Sequence, residues 1–105
     1  MREYIYVLKL IPRLYEGTNW TEHDEDLIRQ HFVRLKDYCN DGKVITAGKT
    51  DRDDDKGFGI VIFEEENDEK AEMFMNEDPA VKHGIMSAEV FSYRTALKRK
   101  EQNSK

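Results

Sequence analysis

The chain has a single cysteine, Cys39, and only two prolines in 105 residues. One cysteine cannot form an internal disulfide, which is typical of proteins that fold in a reducing compartment. No stretch approaches the roughly 18 consecutive apolar residues of a membrane span, and the start of the sequence lacks the apolar region of a signal peptide. We therefore expect a cytoplasmic protein with no membrane segment.

Positive charge is also in short supply. Seventeen Lys and Arg face 22 Asp and Glu, which gives a formal net charge of −5. Such a surface repels polyanions, so neither nucleic acid nor an anionic membrane is expected as a partner. The hydrophobic fraction of 38% is enough for one modest core. We assign residues 1–95 to one domain and residues 96–105 to a polar, frayed tail.

Apolar runs, capping residues and turn residues predict the order strand, helix, strand, strand, helix, strand. The strands are expected at residues 4–11, 43–49, 58–63 and 85–93. A capping box at Thr21 starts a helix that runs to about Asp41, and a second helix runs from residue 67 or 68 to 75–77, before Asp78-Pro79. Right-handed crossovers then predict an α+β, ferredoxin-like βαββαβ fold, with two helices on one face of a four-stranded antiparallel sheet.

Both faces of this sheet carry apolar side chains. In the first strand Tyr4, Tyr6 and Leu8 point one way, while Ile5 and Val7 point the other. A sheet covered on one side only normally alternates apolar with polar residues. We therefore predict that a second copy of the chain covers the free face, which makes the protein a homodimer.

One ionisable residue interrupts the apolar stripe of the first helix. The stripe, predicted to be core, consists of Leu27, Ile28, Phe32, Leu35, Tyr38 and Cys39, and His31 lies four residues from both Leu27 and Leu35. One interpretation is a core histidine bonded to a carbonyl or a water. The other is a general acid or base, because imidazole ordinarily titrates near pH 6.5 and a carboxylate can orient it. Asp78 is the candidate carboxylate, although Asp before Pro is also a common turn residue.

Several segments together resemble a known family. They are Tyr4-Ile5-Tyr6-Val7-Leu8, residues 29–35 around His31, residues 42–48 (Gly-Lys-Val-Ile-Thr-Ala-Gly), Gly57-Phe58-Gly59 and residues 78–85. Their order and spacing over residues 2–93 resemble the YCII-related (YciI-like) domain of the dimeric α/β-barrel superfamily. Two positions depart from the family pattern: Lys49 stands where proline is frequent, and His83 where a small residue is usual.

The resemblance implies a dimeric barrel with an active site built around His31 and Asp78. We place a pocket for a small-molecule ligand around them, with Tyr6, Gly48, Phe58, His83 and Phe91 as its residues. The expected activity is cofactor-free acid–base chemistry, namely elimination, isomerisation or hydrolysis, on a small molecule for which an aromatic compound is one candidate. The alternatives are a non-catalytic dimeric module that binds a small molecule or a partner, and haem- or flavin-linked oxygen chemistry as found elsewhere in the superfamily.

Other patterns argue against metal and thiol chemistry. The three histidines do not fall at a zinc-ligand spacing, and the acidic turn at residues 51–57 does not match a calcium-binding loop. Cys39 lies near the C-terminal end of the first helix, where the helix dipole disfavours a thiolate. We predict no metal site, and a core position for Cys39.

Overall fold

The computed structural model describes residues 1–100 and contains one sheet with helices against one face. The strands are β1 (Arg2–Leu10), β2 (Val44–Lys49), β3 (Gly59–Glu65) and β4 (Met86–Ser92), and the helices are α1 (Glu22–Asp41), α2 (Asp68–Asn76) and α3 (Pro79–Lys82). The sheet order is β2-β3-β1-β4, and all neighbouring strands are antiparallel. The predicted α+β, ferredoxin-like architecture is confirmed.

Two local features differ from the prediction. The segment expected to be a loop forms two short 3₁₀ turns, Pro12–Tyr15 and Gly17–Asn19, and buries Leu14. A third, four-residue helix, α3, follows directly after Asp78. Residues 96–100 of the predicted tail form neither helix nor strand, and residues 101–105 lie outside the described part of the chain. None of the helices within residues 1–100 has the length and apolar character needed to cross a membrane.

The start of α1 is fixed by the predicted capping box. The Thr21 hydroxyl accepts a hydrogen bond from the Asp24 backbone N–H, and the Asp24 carboxylate accepts one from the Thr21 N–H. Arg13, from the first 3₁₀ turn, donates two further hydrogen bonds of 2.8 and 2.9 Å to the same carboxylate. These contacts set the direction in which α1 leaves the loop and crosses the sheet. The helix ends at Gly42, whose φ of 91° suits glycine.

The core lies between the helices and the face of the sheet that carries Tyr4, Tyr6 and Leu8. Phe63 and Phe74 stack at the centre of this layer, with ring centroids 4.7 Å apart. The opposite face, which we call the open face, carries apolar residues in three adjacent strands: Ile5, Val7, Ile60, Ile62 and Phe91. Within residues 1–100 the helices pack against the other face, and exposure on the open face ranges from 9% at Ile62 to 45% at Phe91.

The apolar stripe of α1 is only partly buried. Leu27 and Leu35 are core residues as predicted, but Phe32 is 65% exposed and Cys39 is also exposed. The prediction that these two residues are core is wrong, because the stripe is wider than the surface it covers. This part of α1 faces the edge strand β2, where Ala47 and Gly48 are exposed as well, and a cavity separates the two elements.

Candidate active site

His31 and Asp78, which are 47 residues apart in the sequence, lie in direct contact. The Nδ1 atom of His31 is 2.7 Å from Oδ1 and 2.8 Å from Oδ2 of Asp78. The Asp78 side chain is fully buried, and the His31 side chain is 13% exposed. The α1 stripe therefore directs His31 toward a carboxylate held between α2 and α3.

Two further groups hold the Asp78 carboxylate in place. The Tyr6 hydroxyl donates a 2.7 Å hydrogen bond to Oδ2, and the Ala80 backbone N–H donates a 3.0 Å hydrogen bond to Oδ1. Tyr6 reaches the carboxylate from β1, and Ala80 belongs to the first turn of α3. Donors from the sheet and from two helices thus converge on one buried carboxylate, which fixes its orientation.

The surroundings keep Asp78 ionised. Burial by itself would raise the pKa of Asp78, but the hydrogen bond and charge of His31, with the hydrogen bonds from Tyr6 and Ala80, lower that pKa below its usual value. Burial and the neighbouring carboxylate raise the pKa of Tyr6, so its hydroxyl keeps its proton. An ionised carboxylate can only accept hydrogen bonds, so the His31 Nδ1 must carry the hydrogen between them. In neutral His31 the lone pair is then on Nε2.

Arg34, one turn after His31 on α1, places a positive charge near Asp78. Its Nη1 atom is 3.9 Å from Oδ2 of Asp78, and Nη2 donates a 2.9 Å hydrogen bond to the Phe74 carbonyl. The guanidinium carbon lies 4.3 Å from the centroid of the Phe74 ring and 5.2 Å from that of Tyr38, within cation–π distance. Nη1 is buried and has no hydrogen-bond partner among residues 1–100. Its charge therefore acts on Asp78 through space.

A cavity of about 620 Å³ borders His31 between α1, the β2–β3 end of the sheet and the turn before β3. This volume is typical of small-molecule sites, which fall at roughly 300–1,000 Å³. Most of the wall is apolar, with Leu8, Leu10, Trp20, Ile28, Phe32, Leu35, Phe58 and Met86 among its residues. His31 is thus an ionisable group on a largely apolar wall.

The structure brings some of the predicted pocket residues to this cavity. Gly48 and Phe58 line it beside His31. Tyr6 is fully buried behind the wall, where it contacts Asp78. His83 and Phe91 do not line the cavity: the His83 ring is 6.5 Å from that of His23, and Phe91 pairs with Ile5 on the open face. The β4 register puts Val90, not Phe91, on the core face.

Sequence reasoning missed the contacts of Arg34 and Tyr6 with Asp78. A signal for Arg34 was present, since it lies three residues after His31 on α1 and residues at this spacing are neighbours on a helix. No comparable signal existed for Tyr6, because its hydroxyl meets Asp78 through the tertiary fold. Within residues 1–100, no three His, Cys, Asp or Glu side chains are grouped so that they could hold a metal ion.

Comparison with known sequences agrees with this architecture. A sequence model of the YCII-related domain matches residues 6–94, which is most of the chain and includes both His31 and Asp78. No curated protein matches the chain. On the extent of this match, the chain belongs to the YCII-related domain family.

Proposed function

We propose that this protein is an enzyme in which His31 transfers protons to and from a small molecule bound in the cavity, and Asp78 orients His31. One observation carries the proposal: an imidazole on the wall of an apolar cavity donates its Nδ1 hydrogen to a fully buried carboxylate. The ring edge that carries Nε2 receives no hydrogen bond from residues 1–100. It is therefore left to meet a ligand.

The chemistry follows from this arrangement. Nε2 accepts a proton from the bound molecule, and the imidazolium that forms is stabilised by the Asp78 carboxylate. The same nitrogen can return the proton at another atom, which completes an isomerisation, or to a leaving group, which completes an elimination. In a hydrolysis Nε2 instead takes the proton from a water that attacks the bound molecule, and gives it to the leaving group. A positioned acid or base of this kind contributes about 10²- to 10⁴-fold to a rate. No cofactor is needed for these steps.

Deuterium exchange tests the proposal without knowledge of the natural substrate. The probe is 4-acetylbenzamide, whose acetyl hydrogens exchange in D₂O when a base removes them, and NMR follows the loss of the methyl signal. We expect the wild-type protein to accelerate exchange by about 10²-fold over the His31→Asn variant, in which an amide can still donate to Asp78. His83→Asn is the matched control, because His83 lies outside the cavity. Equal exchange rates with wild type and His31→Asn would overturn the proposal.

A non-catalytic binding module is the second candidate. It is favoured by the depth of the carboxylate: Asp78 is fully buried and meets Tyr6 and Ala80 as well as His31, as structural hydrogen-bond networks do. In that case the probe binds in the cavity, and its methyl hydrogens exchange at the same rate with the wild type and the variant. The exchange experiment therefore separates the two candidates.

We also propose that two copies of the chain associate through the open face. The support is its apolar content, since Ile5, Val7, Ile60 and Ile62 lie on adjacent strands opposite the helices. Sedimentation at micromolar concentration should give a dimer, and Phe91→Glu should shift it toward monomer, because Phe91 is 45% exposed on this face. Met73→Glu, at a 54% exposed position on α2, is the control. A wild-type monomer would contradict this proposal.

The cytoplasmic location stays a prediction from the single cysteine.

A further inference from the structure

The three cationic side chains that line the cavity differ in whether they form ion pairs with carboxylates. Two of the three cations there are already compensated: Lys49 Nζ is 3.2 Å from Asp53 Oδ1, and Arg52 Nε donates a 2.7 Å hydrogen bond to Asp54. Lys36, the third, makes no ion pair within residues 1–100. A ligand that enters the cavity therefore meets one uncompensated positive charge. In a chain of net charge −5, this local charge is what could retain an anion.

A second unpaired donor lies beside Lys36. Asn40 also lines the cavity, and its side-chain amide makes no hydrogen bond within the described residues. Lys36 and Asn40 are one turn apart on α1, so their side chains are neighbours on the helix surface. An ammonium and an amide N–H₂ together can donate to the two oxygens of one carboxylate.

We propose that the cavity binds a ring-sized, apolar monocarboxylic acid, whose carboxylate is held by Lys36 and Asn40 and whose ring lies between Phe32 and Phe58. This proposal gives the substrate class for the proposed function. It rests on the proposed function only in placing the reacting end of the acid, opposite its carboxylate, beside His31. Phe32 and Phe58 are 65% and 45% exposed, and both line the cavity, so each offers an uncovered aromatic surface to the ring.

The spacing along α1 sets a minimum size for the acid. Lys36 lies five positions after His31, an axial rise of about 7.5 Å at 1.5 Å per residue, and at 3.6 residues per turn the two side chains leave the helix about 140° apart, so the acid must span more than this rise. The rise alone is comparable to the span of a six-membered ring with a substituent at each end. A two- or three-carbon acid held at Lys36 would leave its reactive atoms away from His31. A ring with the carboxylate at one end and the labile hydrogen at the other meets this minimum.

A pair of probes that differ only in charge tests the anchor. NMR chemical-shift titration gives the Kd of 4-acetylbenzoate and of neutral 4-acetylbenzamide for the wild-type protein, Lys36→Met and Lys82→Met. Methionine keeps the length of the aliphatic chain and removes the charge, and Lys82 is an exposed lysine of α3 outside the cavity. We expect the acid to bind wild type about tenfold more tightly than the amide, a preference lost in Lys36→Met and kept in Lys82→Met.

The outcomes separate this inference from the catalytic proposal. Equal affinity for acid and amide, no binding of either at millimolar concentration, or an acid preference that survives Lys36→Met would each overturn the anchor. Binding requires no turnover, so the preference can be measured in His31→Asn as well. If the preference persists there while exchange never depends on His31, the anchor stands and the catalytic proposal fails.

Discussion

The Tyr6→Phe substitution tests whether the buried carboxylate depends on its donors. It removes one hydroxyl and leaves the ring, so packing against Phe63 and Phe74 is retained. The lost contact is a 2.7 Å hydrogen bond to a fully buried carboxylate. A hydrogen bond to a charged group contributes about 1.5–3 kcal/mol, so we expect the free energy of unfolding to fall by about 2 kcal/mol. The corresponding drop in Tm is roughly 10 °C for a domain of this size.

Urea unfolding followed by circular dichroism measures the loss, at equal protein concentration because association would itself contribute to stability. Tyr4→Phe is the matched control: Tyr4 lies two residues earlier on the same face of β1, and its hydroxyl donates a 2.8 Å hydrogen bond to Asp68. The Asp68 side chain is 80% exposed, so water replaces the lost donor and we expect a loss below about 1 kcal/mol. Equal losses in the two variants would refute the reasoning.

The pH dependence of this loss carries a second check. The pKa of Asp78 is lowered in the folded protein, so its carboxylate stabilises the fold above the usual carboxyl pKa of about 3.9 and ceases to do so as the pH falls through the lowered value. Tyr6 donates to the ionised form. The difference between wild type and Tyr6→Phe should therefore be complete at neutral pH and shrink in acid. A difference that grows in acid would contradict this sign.

Two further predictions concern the start of α1 and the turn before β3. Asp24→Asn should destabilise the fold at neutral pH but not in strong acid. The hydrogen bonds from Arg13 lower the pKa of Asp24, so its stabilising charge is lost as the pH falls through that lowered pKa. Urea unfolding at a series of pH values measures the destabilisation, and a loss of stability that is independent of pH would contradict this prediction. Gly57→Ala should lower the free energy of unfolding by about 2 kcal/mol, because the new Cβ would lie 2.2 Å from the Arg52 carbonyl oxygen. Gly48→Ala is the control and should cost little, because a Cβ at Gly48 meets nothing within 4 Å. Equal decreases in Tm for the two variants would argue against the steric cause.

The elements were predictable because their signals are local. The capping box at Thr21, the glycine after Asp41 and the helix stop at Asp78-Pro79 are properties of a few adjacent residues. Which helix residues are buried depends on the width of the sheet that the helix packs against, and this burial was not predictable in the same way. Phe32 and Cys39 belong to the apolar stripe by periodicity, yet edge strand β2 does not cover them, and helical spacing carries no information about where the opposing sheet ends.

At the candidate site, too, some contacts were predictable from local sequence signals and others were not. The position of His31 in an apolar stripe and the resemblance of the segment at Asp78 were enough to suggest that the two meet. Of the other partners of Asp78, Arg34 was predictable from its spacing to His31 on α1, whereas Tyr6 was not, because its hydroxyl reaches the carboxylate only in the packed fold. Phe91 lies on the open face and not at the cavity because of strand register, since a shift of one residue exchanges the two faces of a sheet.

The depth of Asp78 bears on what the residue is for. A helix stop needs only the backbone restriction that proline imposes, and a surface aspartate meets that need. Burying a carboxylate instead costs several kcal/mol unless its lone pairs are satisfied. Backbone amides could satisfy them, as Ala80 does in part, but the remaining donors are Tyr6 and an imidazole on a cavity wall. That choice of donor leaves Nε2 of His31 without a hydrogen-bond partner among residues 1–100, on a side chain that lines the cavity. The depth of Asp78 alone therefore fits both candidate functions, and the place of His31 on the cavity wall is what supports the proposed proton transfer.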